Sequence, residues 1–433
     1  MALALSALGA VAEHARAEPL TFDTAVARAL AANPSARAAR FEALAAHART
    51  AQAYARHLGD ADVVGVASRY ESPRLVKPLA GPVTPAAIGR LPFDRDQLHY
   101  GVAWQIPLFA GGALVEGDKV ARLAEASARA TEARSLQELR YNVGAAYRNV
   151  LAVRHALAAA IAHEKALAQD EASARLRVET EAWSHADAAK VSFALASAQA
   201  RRAGLTAQLR SATSVLAALI GEGPATTAYE LEDVPAEPSG PVSSAQELAG
   251  VASARRADLL AARDTAEAQR ARVGAVRAGF WPQLAFAGNT LFNDAPSVGS
   301  PIRTWELTIQ LKIPLLGDVG RELSVREAEA AASAAAERSR AKALEVESQA
   351  VDATGRVESA RAALVAGKAQ RELGAEAARV EELRFEEGTG RIEDHLAARA
   401  SALEGETGYW QALYALQSAY DYLELVSGMG GTP

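Results

Sequence analysis

This sequence has no cysteine, only two methionines and only 6% aromatic residues in 433 positions. Without thiols there are no disulfides and no cysteine-ligated metals, and no cysteine is available to carry a lipid. Few aromatics argue against a wide core. Apolar residues make up 50% of the chain, and much of that share is alanine. Alanine has the best helix propensity and lets helices approach closely, so long packed helices are expected. A basic surface is also missing. The net charge is −6, with Lys and Arg interspersed among Asp and Glu, which excludes a nucleic-acid-binding face. After the N-terminus no stretch approaches the roughly 18 apolar residues of a membrane-spanning helix. Entry into a membrane would therefore need strands.

Catalytic motifs are absent as well. No histidine pair has HExxH spacing, and no GxxxxGK[ST] loop occurs, so any ATP hydrolysis that drives this protein must be external. Gly388-Thr389-Gly390 lacks the third glycine and the preceding strand of a dinucleotide loop. His185 and His395 read as polar residues flanking turns, since no second ligand stands at a fixed spacing. The chain reads as a non-enzyme with no cofactor and no metal.

What is present is repetition. Ile106-Pro107-Leu108-Phe109 recurs as Ile313-Pro314-Leu315-Leu316, 207 positions later. At the same offset Leu176-Arg177-Val178-Glu179 matches Leu383-Arg384-Phe385-Glu386, Asp187 matches Asp394, and Gly221 matches Gly428. The period is far too long for a solenoid and marks a duplicated half-protein.

Each half reads helix, strand, loop, strand, very long helix, turn, helix. Residues 18–220 form the first repeat, with a β-hairpin at 63–106 and a turn near 180–186. Residues 221–242, with several prolines, form a linker at the helix junction, and 243–428 form the second repeat, with a hairpin at 283–313 and a turn near 386–392. Residues 429–433 are a tail. Residues 1–17 read as a secretory signal: Ala2 to Ala12 are apolar and Ala15-Arg16-Ala17 is an A-x-A cleavage pattern, although a basic start is missing. Asn33-Pro34 marks a kink in the first helix, which Thr21 or Asp23 is placed to cap. Tyr409, Trp410, Tyr414, Tyr420 and Tyr422 are expected to pack at the helix junction.

The strands alternate strictly. Trp305, Leu307, Ile309, Leu311 and Ile313 face one way, and Glu306, Thr308, Gln310 and Lys312 the other. Leu98, Tyr100, Val102, Trp104 and Ile106 repeat the pattern against His99, Gly101, Ala103 and Gln105. This fits a half-buried strand, and equally a barrel strand with lipid outside and water inside. Four strands cannot close a barrel; three chains would supply about twelve. Pro107, Gly111, Gly112 and Pro314 mark the strand-to-helix junctions. The proline-free run from Ala113 to Val178 is long enough for a helix of about 100 Å. Leu136, Val143, Val150 and Leu157, with Leu139, Ala146, Val153 and Ala160, form a heptad seam along it.

The duplicated strand-Pro-helix junctions and the turn Arg384-Phe-Glu-Glu-Gly-Thr-Gly-Arg-Ile-Glu-Asp394 resemble those of the TolC-like outer-membrane efflux ducts, and the resemblance spans residues 20–430. It implies a mainly α chain: a long antiparallel coiled-coil α-barrel plus a transmembrane β-barrel of four strands per protomer, closed by trimerisation. It also implies a passive channel in the outer membrane of a Gram-negative bacterium, extending into the periplasm. Such a duct exports small molecules, metal ions or proteins in tripartite efflux or type I secretion. Its partners would be outer-membrane lipid, a periplasmic adaptor and an inner-membrane transporter of RND, ABC or MFS type. Carried over by position, Glu181, Ala182, Trp183, Gly388, Thr389 and Gly390 would contact the adaptor. Asp394, Asp187 and Glu393 would narrow the periplasmic aperture. Two departures stand out: Glu181 occupies the place of a usual glycine, and Ala397 that of a frequent second acid. A soluble periplasmic coiled-coil scaffold is the alternative.

Overall fold

The computed structural model describes residues 19–79, 84, 88–223, 229–233, 236–240, 243–314 and 319–429. The expected signal segment, Leu315, Leu316, parts of the Pro/Gly loop and linker, and the tail beyond Met429 lie outside the described residues. The helices are α1 (Phe22–Ala32), α2 (Pro34–Ala55), α3 (Ala113–Glu179), α4 (His185–Ile220), α5 (Ala245–Arg255), α6 (Ala257–Arg277), α7 (Val319–Glu386) and α8 (Ile392–Ser427). The strands are β1 (Asp60–Leu75), β2 (Phe93–Ala110), β3 (Gln283–Asp294) and β4 (Ile302–Lys312). Short 3-10 turns, Arg56–Leu58 and Ala278–Phe280, precede β1 and β3. With α3 at 67 residues and α7 at 68, the duplication predicted from the sequence is present in the elements.

The chain divides into two units. One, Arg40–Glu132 with Ala257–Leu344, carries an antiparallel sheet of order β1-β2-β3-β4. Its register sets Trp104 beside Gly288 and Gly288 beside Leu307, and Phe286 between Ile106 and Ile309, all on the apolar face. The Trp104 indole covers the bare Gly288 backbone and meets Phe286 edge-on at 5.0 Å. The opposite face has Asp62, Ala103, Asn289 and Glu306 in one row and Asp60, Gln105, Ala287 and Thr308 in the next. Pro107 cannot donate a ladder hydrogen bond, and the β2–β3 register shifts just after it. Below the strands, Thr50 donates from α2 to the Ala121 carbonyl at 3.2 Å. His47 faces Glu125 at 3.0 Å, and His57 faces Asp118 at 2.8 Å. Val273 of α6 packs on Ala328 and Ala332 of α7.

The other unit, Met1–Ala39, Ala133–Arg256 and Glu345–Pro433, is mainly helical over its described residues. The heptad seam is its spine: Leu139, Val143, Val150, Val153 and Ala160 are buried, and Leu136, Ala146 and Leu157 half-buried. Val143 and Val150 pack with Ala25, Val26 and Ala29 of α1 and Leu216 and Ile220 of α4. Thr21, not Asp23, caps α1. Linker residues are strapped to this bundle. Tyr147 donates its hydroxyl toward the Leu20 and Glu232 carbonyls at 2.8 and 2.7 Å. Asp233 accepts from Tyr414 at 2.5 Å and meets His155 at 2.6 Å, while His155 stacks on Trp410 at 3.6 Å. Burial alone would raise the Asp233 pKa, but those two bonds and Arg154 leave it below the usual carboxylate range. Tyr420 reaches the Gly240 carbonyl, and Arg356 lies over Tyr422 at 4.4 Å. The aromatic set thus packs at the junction.

The two composite helices break alike. Asn33 ends α1, receives the Ser35 amide on its side-chain oxygen at 2.8 Å, and donates to Leu219 at 2.9 Å. The second break has no proline. There Arg256, only 1% exposed, ends α5 and holds Gln349 at 2.5 Å. Against each break lies the left-handed glycine that ends a helix: Gly221 (φ +90) on Ala32, and Gly428 (φ +70) on Arg255 and Arg256. A Cβ at Gly221 would stand 2.8 Å from the Ala32 carbonyl carbon; at Gly428 the nearest atoms would be 3.1 Å away.

Gly221→Ala is expected to cost most, above about 2 kcal/mol, since left-handed strain and overlap with backbone add. Gly388→Ala, with a φ of +76 and nothing within 4 Å of its Cβ, is expected to show strain alone, about 1 kcal/mol. Denaturant unfolding of the two alanine variants measures the order; equal losses would remove any role for the abutment.

Candidate functional site

Both long helices end in the same turn, and both turns lie in the helical unit. In the first, the Arg177 carbonyl accepts the amides of Ala182 (2.8 Å) and Trp183 (3.1 Å), and Glu181 donates to Val178 at 3.0 Å. In the second, the Arg384 carbonyl accepts from Thr389 and Gly390, both at 2.9 Å, and Gly388 donates to Phe385 at 3.2 Å. These are paired Schellman closures, which need a left-handed residue just past the helix. The second turn uses Gly388. The first uses Glu181 (φ +60), the single positive-φ non-glycine among the described residues. For a residue with a Cβ that conformation costs about 1–2 kcal/mol.

The turns share a small core. Ala174, Val191, Phe385 and Ile392 are buried together, with Trp183, Ala188 and Leu396 packed on them. Trp183 meets Phe385 edge-on at 5.4 Å, and the Arg177 guanidinium lies 5.0 Å from each ring. Trp183 is thus mainly a packing residue, while Glu181, Ala182, Gly388 and Thr389 are exposed.

The expected aperture residues are not equivalent. Ser184 caps α4, accepting the Asp187 amide at 3.1 Å and donating to its carboxylate at 2.7 Å. Lys190 binds Asp187 at 2.9 Å and reaches across to Glu393 at 2.5 Å. Asp187 is held below the usual carboxylate range by the Ser184 hydroxyl and then Lys190, and Glu393 chiefly by Lys190. In the second repeat the places of Ser184 and Lys190 are taken by Arg391 and Ala397. Arg391 makes no side-chain cap, and Ala397 cannot pair. Asp394 is therefore exposed and, among the described residues, meets no hydrogen-bond donor or cation; it does not cap α8. Sequence reasoning missed Lys190. Its spacing of three from Asp187 was a signal; its reach to Glu393 was not readable.

His395 corrects the expectation of a polar turn-flanking residue. It is 1% exposed, stacked on Phe385 at 4.4 Å, and faces Asp170 at 3.1 Å. Arg399 donates to it at 2.9 Å and ties Asp170 to Glu382. His185 is exposed at the start of α4. Among the described residues no three His, Asp or Glu stand together as a metal-ligand set. At the junctions, Gly111 and Gly112 both take positive φ between β2 and α3, and Pro314 follows β4.

Residues 248–429 match the family model described as outer membrane efflux protein. No curated protein matches the chain. The fold is similar to that of the outer-membrane channel OprN, with a TM-score of 0.79 at 20% identity over 95% of this chain and 90% of that one. It is similar also to the outer membrane protein VceC of Vibrio cholerae (TM-score 0.77, 18% identity, 94% of this chain and 96% of that one). The CmeC outer membrane channel of Campylobacter jejuni gives 0.78 at 15% identity, over 94% of this chain and 86% of that one. At these identities the likeness establishes the fold. The resemblance drawn from the repeated junctions and turns is borne out.

The Lys190 bridge predicts an acid effect. Carboxylates with lowered pKa stabilise the fold above the ordinary carboxylate range, and that contribution is lost as pH falls through the lowered values. Lys190→Met is expected to lower the melting temperature at neutral pH, with the difference from wild type shrinking at a pH well below the ordinary carboxylate range. Melting curves at both pH values check this; a gap that persists in acid would mean the bridge is not its source.

Proposed function

We propose that this chain, which carries an outer membrane efflux protein domain over residues 248–429, is one protomer of a passive trimeric export duct. The observation that supports this most is the sheet. Its two edges, β1 and β4, are unpaired among the described residues, and its apolar face is bare: Trp305 is 69% and Ile309 68% exposed. An open edge is not tolerated in lipid, so the sheet must be closed by other copies. Three copies give about twelve strands, enough for a water-filled barrel. In that barrel Leu307, Ile309 and Leu311 face lipid, and Glu306, Thr308 and Gln310 face the lumen. A soluble scaffold has no use for such a face.

In this reading the strands lie in the outer membrane of a Gram-negative bacterium and the helices extend into the periplasm. The two turns meet a periplasmic adaptor that links the duct to an inner-membrane transporter of RND, ABC or MFS type, which supplies the energy. Small molecules, metal ions and proteins are all admissible cargo, in efflux or in type I secretion. The free Asp394, three copies around one axis, forms the constriction. Asp187 and Glu393, already held by Lys190, contribute less to its charge. Residues 1–17 act as the secretory signal, and Pro107, Gly111, Gly112 and Pro314 turn the barrel into the helices.

Two measurements test this. A charge on the lipid face of a barrel costs about 2–4 kcal/mol at the midplane, and less inside. Ile309→Arg is expected to cut the amount of detergent-extracted trimer from outer-membrane fractions far more than Gln310→Arg. Equal losses, or a stable monomer with full strand content, would defeat the barrel. In planar bilayers the wild-type trimer is expected to prefer cations, because a ring of carboxylates attracts them. Asp394→Asn should reduce that preference without loss of trimer; unchanged selectivity would reject Asp394 as the constriction.

A further inference from the structure

The apolar face of the sheet ends on a charge. From Leu311 to Trp305 every second residue of β4 on that face is hydrocarbon or aromatic, and the next is Arg303. The register sets Arg303 beside Phe292 and Phe292 beside Tyr100, and those two rings stack at 5.5 Å. With Trp305 one row below, these aromatics form the kind of girdle that a membrane barrel places at its water interface. Arg303 stands about 7 Å beyond Trp305 along the strand. It is at the end where the β3–β4 connection leaves the sheet; the other end of β4 leads on to α7. In the duct reading the connection end faces the cell exterior.

A cation on a lipid face is expensive at the midplane and costs only about 0–1 kcal/mol near the interface. Its counter-ion must still come from somewhere. Arg303 is exposed, and among the described residues its guanidinium meets no carboxylate and no aromatic ring. The other charges on this face differ from it. Arg69 is already matched by Asp96 at 3.6 Å. Asp294 stands in the row beyond, opposite Leu98, and forms no ion pair with Arg303.

We propose that Arg303 is a lipid-headgroup site: it binds a phosphate of the phosphorylated glycolipid in the outer leaflet, and Trp305 packs on the acyl chains below. A guanidinium presents two parallel N–H donors that match two phosphate oxygens, which a compact ammonium does not. Contact with lipid tails is common to any barrel and selects no lipid. A guanidinium fixed at headgroup depth selects a lipid that carries phosphate over one that lacks it. Three copies place three such sites around the barrel, where they also hold its depth in the leaflet. This rests on the duct reading.

The test uses the full-length trimer in detergent, stripped of bound lipid, with native mass spectrometry to count the lipids retained. The probes are bis-phosphorylated lipid A, the same lipid after enzymatic dephosphorylation, and inorganic phosphate. Wild type is expected to retain lipid A at up to three per trimer, one for each copy, and Arg303→Gln to weaken retention by about tenfold. Arg303→Lys should keep part of the affinity, because the charge stays and the fork is lost. Dephosphorylated lipid should bind wild type no better than it binds Arg303→Gln. Equal affinity of wild type and Arg303→Gln for lipid A overturns the proposal. Displacement of lipid A by millimolar inorganic phosphate overturns the lipid assignment and leaves a site for a free anion. The rival partner is Glu71, on β1 of the neighbouring copy. If Arg303→Gln and Glu71→Gln both dissociate the trimer, the cation belongs to an ion pair between copies and the proposal falls. A wild type that forms no trimer defeats the duct reading itself, whereas a trimer with no preference for phosphate defeats only the headgroup site.

Discussion

Among the described residues the outer backbone groups of β1 and β4 have no strand partner, and the proposed architecture follows from that. A buried or lipid-facing amide without an acceptor costs several kcal/mol, so four strands with two free edges are not a finished structure in a membrane. The alternation from Trp305 to Ile313 has the same logic seen from the side chains: one face suited to hydrocarbon, the other to water. In the proposed duct the bare apolar face and the free edges call for the same remedy, closure with identical chains. A barrel so closed has no edge left and keeps its polar row of Asp62, Asn289 and Glu306 around water.

The helices solve a different problem. Their seams mix leucine and valine with alanine, which lets them approach closely. Long thin packing of this kind gains specificity from polar ties. Four histidines each face a carboxylate across an element boundary, and one member of each pair sits on α3: His47 with Glu125, His57 with Asp118, His155 with Asp233, and His395 with Asp170. A partly buried pair must be matched to avoid a desolvation penalty, and that requirement fixes register where apolar contacts alone would allow sliding.

Duplication preserved the backbone of the turns and let their chemistry diverge. Ser184 and Lys190 neutralise Asp187, whereas Arg391 and Ala397 leave Asp394 free at the corresponding place. Glu181 and Gly388 differ in the opposite sense: both meet the same backbone requirement, and Glu181 does so at a cost. One scaffold thus presents two different ends.

What is local and periodic was legible in the residues alone. Strict alternation identified the strands, the 207-residue offset revealed the duplication, and proline-free alanine-rich runs required the long helices. Asn33-Pro34 announced the first break because proline removes a helix hydrogen bond. Strand ends were underestimated: the first hairpin runs from Asp60 to Ala110 rather than over 63–106, since ladder hydrogen bonds continue after side-chain alternation stops. The second break, at Arg256, carries no proline; it exists because Gly428 and Gln349 meet it from distant parts of the chain. Lys190 joining Asp187 to Glu393, Trp183 against Phe385, and the burial of His395 were likewise decided by tertiary structure. Each depends on which helix faces which, and a pairing between residues some two hundred positions apart leaves no periodic mark in either.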